Sequence, residues 1–185
     1  MNILDKIEKY DVLLTRLSKD KIEEVRMWRN DPKISQYMEY REFITAEQQY
    51  SWFKKINNER NLYYIVSYKG EDIGLINIKD IDADYKVGEG GIFIYVDKYL
   101  NTDLSYRAHL CLFDYCFENL GLQIVLSHIL KENKRAQRFA MFLGSTLEEG
   151  QENENNQKYS LLRENYLKNK NRLSFIRRYE NKKNN

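Results

Sequence analysis

Two short apolar runs separated by an amphipathic segment stand out in the middle of the chain. The first, residues 92–96, is rich in β-branched and aromatic residues, which is typical of a buried strand. Apolar residues then recur at helical spacing over residues 104–120, and Gly121 ends this predicted helix. A second strand is predicted at residues 124–126, and a last helix, with an asparagine cap and a closing glycine, over residues 133–144. The pattern indicates an α/β domain.

The flanking segments predict further elements around this unit. Residues 1–9 predict a frayed helix or a disordered lead, whereas residues 45–48 carry a capping-box sequence that begins an aromatic helix. Residues 159–166 predict the last strand, after a polar loop. We therefore expect one domain over residues 1–166 and a basic tail over residues 167–185. Further strands are predicted upstream of the central unit, at residues 12–17, 62–68 and 73–78.

The composition is that of an ordinary globular domain, with 185 residues, 42% of them apolar and 31% charged. No segment approaches the roughly 20 apolar residues of a membrane-spanning helix, and Asp5 and Glu8 are unlike a signal peptide. Cys111 and Cys116 are five apart on one predicted helix, which suits neither a disulfide nor a zinc site. We expect a reduced, cytoplasmic protein with no metal and no membrane contact.

Charge is unevenly distributed along the chain. Residues 167–185 hold seven Lys or Arg and one Glu, a net charge of +6, so the rest of the chain carries −4 of the total of +2. Such a tail allows a polyanionic partner, although a solvated terminal extension is the commoner explanation. Phe175 and Tyr179 are the only aromatic residues among these cations, so we do not expect nucleic-acid binding.

Four short motifs resemble the acetyl-CoA-binding core of the GCN5-related N-acetyltransferases. They are Glu89-x-Gly91-x-Phe93-Ile94, Phe117-x-x-Leu120-x-Leu122, Asn133-x-x-Ala136 with Leu143-Gly144 after it, and Trp28-Arg29-Asn30-Asp31. The chain is most similar to the branch of ribosomal-protein N-terminal acetyltransferases and nucleotide-sugar N-acetyltransferases of the pseudaminic-acid pathway type. The resemblance covers about Tyr10 to about Tyr166. It implies a single α/β domain with a mixed central sheet flanked by helices.

The resemblance also implies acetyl-CoA as co-substrate, bound where the first core strand meets the long helix. In the family a splayed strand offers free backbone groups to the pantetheine arm, which here implies Ile94, Tyr95 and Val96. A glycine-rich turn at a helix N-terminus then holds the pyrophosphate. Asn133 corresponds to a family residue beside the pantetheine, and Arg135 is a further phosphate candidate. The residues aligned with the glycine-rich turn are Asn101, Thr102, Asp103, Leu104 and Ser105.

This turn departs from the family pattern because it contains no glycine. Asp103 stands where a phosphate-facing glycine is expected, and its carboxylate would repel a pyrophosphate by about 1 kcal/mol at roughly 4 Å. Asp103 points away as a helix cap, or the affinity for CoA is weak, or the site no longer binds CoA. Arg107 is a candidate compensating cation. The tyrosine that often serves as general acid in the family is also missing, because Ala140 takes its place.

Glu89 is the candidate general base, since a carboxylate near an amine takes its proton directly or through water. His128 is a weaker candidate for this role, and His109, in the middle of the long predicted helix, is expected to be structural. The candidate acceptor-binding residues lie in the first third of the chain, where an arginine suits a phosphate or carboxylate and an asparagine suits the cap of the next turn. They are Trp28, Arg29, Asn30 and Met38.

Together these assignments predict an N-acetyltransferase that moves acetyl from acetyl-CoA to a primary amine, without a covalent enzyme intermediate. We expect a small-molecule acceptor, the amine of a nucleotide-linked amino sugar. The alternatives are a protein N-terminus or another small amine, and a non-catalytic module of the same fold with a degenerate CoA site. The sequence leaves the oligomeric state open, and a homodimer is one of the states considered.

Overall fold

The structure, a computed structural model, describes residues 3–170 of the chain. Its centre is a single sheet of eight strands. The strands are β1 (Lys6–Lys9), β2 (Val12–Arg16), β3 (Leu62–Tyr68), β4 (Glu71–Asp82), β5 (Val87–Ile94), β6 (Ile124–Leu130), β7 (Thr146–Leu147) and β8 (Asn156–Leu162). They lie in the order β1-β2-β3-β4-β5-β6-β8-β7, and β5 and β6 are parallel whereas the other neighbours are antiparallel.

Helices cover both faces of this sheet, as the sequence predicted for a mixed sheet. They are α1 (Ile22–Asn30), α2 (Pro32–Ser35), α3 (Ala46–Ile56), α4 (Leu104–Asp114), α5 (Lys134–Leu143) and α6 (Arg163–Lys170). A π-helical turn, Tyr115–Asn119, extends α4, and short 3-10 turns occupy Lys19–Lys21 and Asp97–Tyr99.

The central strand β3 shows why its sequence is apolar at nearly every position. Side chains of a strand alternate between the two faces of the sheet. Tyr64 and Val66 pack in the core that contains α4, whereas Tyr63 and Ile65 pack in a second core with α1 and α3. Both faces of the strand are therefore buried, which explains the continuous apolar run.

Caps fix the ends of the helices that the sequence placed most clearly. Thr45 and Gln48 form the predicted capping box at the start of α3. The Asn133 side chain accepts a hydrogen bond from the Ala136 N–H at the start of α5. Gly144 ends that helix with a left-handed backbone, φ 103°, a conformation that favours glycine. These three cap predictions are confirmed.

The prediction of a frayed helix or disordered lead was wrong for Lys6–Lys9, because these residues are β1 and form a hairpin with β2. The two residues of its turn, Tyr10 and Asp11, both have left-handed backbone, with φ of 59° and 55°. Such turns match the twist of paired strands but usually contain Asn-Gly or Asp-Gly. The sequence Tyr-Asp gave no such signal, so the hairpin was missed.

The end of the described chain also differs from the prediction. The last strand, β8, runs from Asn156 to Leu162, whereas the predicted strand covered residues 159–166. Helix α6 begins at Arg163, inside the predicted strand. The polar start of β8 was misread as loop; buried Gln157 accepts a hydrogen bond from Gln137 at 2.9 Å. The predicted domain boundary after residue 166 falls inside α6. Residues 171–185 of the predicted tail, including Phe175 and Tyr179, lie outside the described residues.

Within residues 3–170, no helix is long and apolar enough to cross a membrane. The same part of the chain brings no three His, Cys, Asp or Glu side chains together as a metal site. Cys111 and Cys116 are buried thiols, and burial raises the pKa of Cys111 to about 12.

A buried carboxylate connects the two ends of the described chain to α4. Asp114, whose side chain is 3% exposed, is ion-paired with Lys9 of β1 and with Lys170 of α6. Tyr10 and Tyr166 donate hydrogen bonds to it at 2.6 and 2.7 Å. Burial would raise the pKa of Asp114, but hydrogen bonds from these four side chains lower it below 3.8.

Replacing this carboxylate should destabilise the fold. We expect Asp114→Asn to lower the free energy of unfolding at pH 7 by about 3 kcal/mol, because both lysines lose a buried partner. The lowered pKa means that this stabilisation is fully present above about pH 4 and is lost as pH falls through the folded-state pKa. Urea unfolding measures the loss. Glu118→Gln, an exposed carboxylate 3.6 Å from Lys170, is the control and should change stability by less than about 0.5 kcal/mol; equal effects would contradict the assignment.

Candidate active site

A cleft opens where the two parallel strands part. β5 pairs with β6 only from Val87 opposite Ile124 to Glu89 opposite Leu126, whereas it pairs with β4 as far as Ile94. Beyond Glu89 the strands diverge, and a central cleft of about 1030 Å³ lies between them. This volume is at the upper end of the range of about 300–1,000 Å³ that is usual for ligand sites.

Two glycines form the wall of the central cleft immediately after the strands part. A Cβ at Gly90 would lie 3.1 Å from the Val125 side chain, and one at Gly91 would lie 3.1 Å from the Asn77 amide oxygen. Among the described strands, none pairs with this edge of β5 beyond Glu89. Its backbone groups are therefore available to an extended amide-containing ligand, which is the chemistry of a pantetheine arm. The residues present fit this part of CoA.

The free edge lies earlier in the strand than the sequence placed it. The N–H groups of Tyr95 and Val96 both donate to the Ile73 carbonyl, at 2.7 and 3.5 Å. Of the predicted set, Ile94 lines the central cleft, whereas Tyr95 and Val96 do not. The free backbone edge that faces the cleft therefore lies at residues 90–94, and pantetheine binding by Tyr95 and Val96 stays a prediction.

The glycine-free turn before α4 is stabilised by its own side chains. Asn101 has a left-handed backbone with φ 63°. The Thr102 hydroxyl donates to the Tyr99 carbonyl at 2.7 Å and accepts from the Leu104 N–H at 3.3 Å. Thr102 thus caps the helix, a role that the sequence had given to Asp103. Of the five residues predicted to bind phosphate here, Ser105 alone lines the central cleft.

Asp103 faces a cation of its own helix. Its carboxylate lies 3.2 Å from Nε of Arg107, and it does not line the central cleft. Arg107 is 5% exposed, donates to the Tyr10 carbonyl at 3.2 Å and lies over the Tyr68 ring. Arg107 is therefore a buried structural residue and not the predicted phosphate partner. The arrangement favours the interpretation in which the Asp103 carboxylate is engaged away from the ligand.

The start of α5 places two of the predicted donor-binding residues on the central cleft. Asn133 both caps this helix and lines the central cleft. Arg135, in the first turn, also lines it and is exposed. Burial raises the pKa of Tyr106 on α4, and the charge of Arg135 opposes that shift, so the two side chains lie near each other. Arg135 therefore brings a positive charge to the side of the central cleft next to α4.

Glu89 lies on the cleft wall at the point where the strands part. Its two carboxylate oxygens lie 3.0 Å from Lys79 Nζ and 3.2 Å from His128 Nδ1. Its side chain is 22% exposed, whereas that of His128 is 36% exposed. A carboxylate held between two basic groups and open to the cleft can accept a proton from a bound amine.

The predicted acceptor-binding residues divide into two pairs. Trp28 is buried and stacks on Tyr95 with ring centroids 5.5 Å apart. Asn30 does not cap the next turn as predicted; its side chain instead bonds both backbone groups of Ile44, at 2.8 and 2.9 Å. Both residues support the wall without lining it. Arg29 and Met38 do line the central cleft.

Arg29 has unusual surroundings for a charged residue. Its guanidinium lies over the Trp52 ring, 5.3 Å from the centroid. Burial lowers the pKa of Arg29, and within residues 3–170 only the hydroxyls of Tyr63 and Tyr40 oppose the shift. Burial also raises the pKa of Tyr63 to about 12, so Tyr63 is neutral at pH 7. Among residues 3–170, no carboxylate forms an ion pair with Arg29.

Sequence reasoning missed three residues on this wall. Tyr63, Asn77 and Lys79 line the central cleft from β3 and β4. Asn77 could have been found, because it is a polar residue between two isoleucines in the middle of a buried strand. His109 also lines the cleft, although its burial and its Nδ1 contact with the Ser105 carbonyl at 2.9 Å agree with the structural role predicted for it.

The chain is similar in sequence to known acetyltransferases. The family model described as Acetyltransferase (GNAT) domain matches residues 11–146. Acetyltransferase PseH of Campylobacter jejuni subsp. jejuni serotype O:23/36 (strain 81-176) is 27% identical over 126 residues, which cover 66% of this chain and 74% of that protein.

Solved structures show the same fold at low sequence identity. FdhC in its apo form, described as a nucleotide-linked sugar GNAT, superposes with a TM-score of 0.77 and 18% identity over 92% of this chain and 97% of FdhC. Spermidine N-acetyltransferase from Vibrio cholerae, in complex with CoA and spermine, superposes with a TM-score of 0.73 and 19% identity over 85% of this chain and 98% of that chain. The predicted fold is confirmed.

The placement of Arg135 leads to a binding prediction. We expect Arg135→Gln to raise the Kd of acetyl-CoA about tenfold in calorimetric titration, since one charge-assisted hydrogen bond to a phosphate is worth about 1.5 kcal/mol. The difference should shrink as salt concentration rises. Arg138→Gln, an exposed arginine on the same helix outside the central cleft, should bind as the wild type does. An unchanged Kd for Arg135→Gln would remove Arg135 from the donor site.

Proposed function

Since this chain belongs to the acetyltransferase (GNAT) family, we propose that the amine it acetylates is carried by a nucleotide-linked amino sugar. The family makes the chain an acetyl-CoA-dependent N-acetyltransferase, rather than the non-catalytic module that the sequence had left open. Family membership alone does not identify the acceptor, because relatives of this fold act on different amines. The names of FdhC and of the Vibrio cholerae enzyme mention a nucleotide-linked sugar and spermidine.

The surroundings of Arg29 are the main support for this proposal. Arg29 is half-buried and has no carboxylate partner among residues 3–170, so a ligand anion would compensate for its charge. A guanidinium also matches the geometry of phosphate oxygens, to which it donates two parallel hydrogen bonds. The diphosphate of a nucleotide-linked sugar supplies such an anion. Trp52 and the half-exposed Tyr40 add aromatic surface to the same wall, which suits a base or a sugar ring.

The same charges argue against a polyamine. A polycation needs several free carboxylates, but of the three that line the central cleft Glu89 is paired with Lys79 at 3.0 Å and Asp97 with Lys33 at 3.0 Å, which leaves only the exposed Glu39. A second amine of spermidine would also approach the positive charge of Arg29, which costs free energy in a partly buried site. The central cleft therefore suits an acceptor that carries one reactive amine and negative charge elsewhere.

For acetyl transfer from a thioester to an amine, the protein mainly has to position the two substrates and accept a proton. The amine nitrogen forms a bond to the acetyl carbon, the carbon–sulfur bond breaks, and CoA leaves as the thiolate with the electron pair. In our proposal Glu89 takes the amine proton, directly or through a water molecule. His128, 3.2 Å from the same carboxylate and more exposed, then provides a path for the proton to solvent.

An acceptor assay with an Arg29 variant tests the proposal. We expect turnover with a UDP- or TDP-linked amino sugar that has a free amine, and none with spermidine or a peptide N-terminus. Arg29→Gln should raise KM for the nucleotide-linked sugar about tenfold with a smaller change in kcat, because the lost contact is to the diphosphate. The control is Arg138→Gln, which should retain wild-type constants. Turnover of spermidine alone would contradict the proposal.

The role of Glu89 is tested separately. Glu89→Gln keeps the size of the side chain but cannot take a proton, so we expect kcat to fall about a hundredfold or more. The Kd of acetyl-CoA, measured by calorimetry, should change little. Glu118→Gln, which replaces an exposed carboxylate, is the matched control. A kcat within threefold of the wild type would show that another group, or solvent, accepts the proton.

A further inference from the structure

A pair of buried glutamines lies behind the donor side of the central cleft. Gln137 of α5 is 6% exposed and Gln157 of β8 is 5% exposed, and neither side chain lines the cleft. Gln137 Nε2 donates a hydrogen bond to Gln157 Oε1 at 2.9 Å. Burying an amide costs free energy unless its polar atoms have partners, so the other contacts of this pair show what it holds together.

Every polar atom of the two glutamine side chains has a partner. Gln157 Nε2 donates to the carbonyls of Gln151 and Glu152 at 3.0 and 3.2 Å. Gln137 Oε1 accepts a hydrogen bond from Lys134 Nζ at 3.1 Å. A buried network of this kind is rigid, because breaking one bond leaves a desolvated partner behind. The pair therefore joins α5 to β8 and to the loop that precedes that strand.

The same Gln137 amide also holds the end of β6. Its Nε2 donates to the carbonyls of Leu130 and Lys131 at 3.3 and 3.1 Å. The Leu130 carbonyl in addition accepts the Asn133 N–H at 2.8 Å, and the Asn133 carbonyl accepts the backbone N–H of Gln137 at 3.1 Å. One residue thus fixes both ends of the turn between β6 and α5.

This turn forms the part of the cleft wall that lies between β6 and α5. Leu126 is the last residue of β6 that pairs with β5, so the rest of β6 is held by strand pairing on one side alone, by β8. Leu130, Asn133 and Arg135 all line the central cleft. A displacement of the turn would therefore move three residues of the cleft wall together.

We propose that Gln137 is a positioning residue for acetyl-CoA, because its amide holds the turn that places Asn133 and Arg135 on the cleft wall. Gln157 holds that amide from the side of β8. The inference rests on the predicted donor-binding roles of Asn133 and Arg135, but it does not depend on the identity of the acceptor. A site whose parts are in place before the ligand arrives loses no affinity to ordering them.

Calorimetric titration of the full chain with acetyl-CoA tests the inference without any acceptor. Gln137→Met keeps the length of the side chain but cannot donate a hydrogen bond, so the turn adopts other arrangements. If the binding-competent arrangement falls to about a tenth of the population, the Kd of acetyl-CoA rises about tenfold, which is the result we expect. Gln49→Met is the matched control, because Gln49 is also buried, donates to the Ile22 carbonyl at 2.9 Å and lies outside the central cleft. This variant should bind acetyl-CoA as the wild type does.

Gln157→Met is a second variant, which decides the question if Gln137→Met does not fold by circular dichroism. It removes one acceptor of the Gln137 amide, while the bonds from that amide to Leu130 and Lys131 remain. We therefore expect a smaller effect, with the competent arrangement reduced to about a third and the Kd of acetyl-CoA raised about threefold.

Two results would overturn the inference. The first is a wild-type Kd for Gln137→Met, or for Gln157→Met if that variant alone folds. The second is an equal rise in Kd for Gln49→Met, since the effect would then come from the loss of any buried glutamine and not from the turn. Because the titration needs no acceptor, a failed amino-sugar assay would count against the proposed function and not against the role of Gln137.

Discussion

The pairing of β5 with β6 stops after three residues, and this early end of a parallel ladder is the constraint on which the site depends. Parallel strands are usually buried between helices on both faces, so a gap between them opens a passage through the sheet. Gly90 and Gly91 keep that passage clear, because a Cβ at either position would press on a neighbouring side chain. Donor and acceptor can then meet from opposite faces, each bound by residues of different elements.

Charge gives the two ends of this passage different preferences. On the proposed acceptor side the half-buried Arg29 lies over Trp52 without a carboxylate partner in residues 3–170, while Glu89 is already held by Lys79. In our proposal that imbalance favours an anionic acceptor, since an uncompensated cation repels polycations and attracts phosphate. On the donor side, by contrast, Asp103 is neutralised by Arg107 within its own helix, so the loss of the family glycines need not place a repulsive charge at the phosphates.

The sequence alone predicted the structure wherever residues a few positions apart determine it. The apolar run of β3, the capping box at Thr45 and the closing glycine at Gly144 all depend on neighbours a few residues away, and all were found. The sequence alone did not predict features that depend on residues far away in the chain. The end of strand pairing at Glu89 depends on β6, more than thirty residues later, and the burial of Arg107 depends on the Tyr10 carbonyl. Such partners leave no periodic signal in a single sequence.

A passage between two strands weakens the sheet at its centre, so the elements around it must be held by other contacts. Phe113 and Asp114 are neighbours on α4 with different roles. Phe113 lines the central cleft, whereas Asp114 binds Lys9, Tyr10, Tyr166 and Lys170. The buried carboxylate thereby fixes the position of the aromatic ring next to it. Since interiors transmit small displacements, we expect the position of Phe113 on the wall of the central cleft to depend on ion pairs made by the first strand and the last described helix.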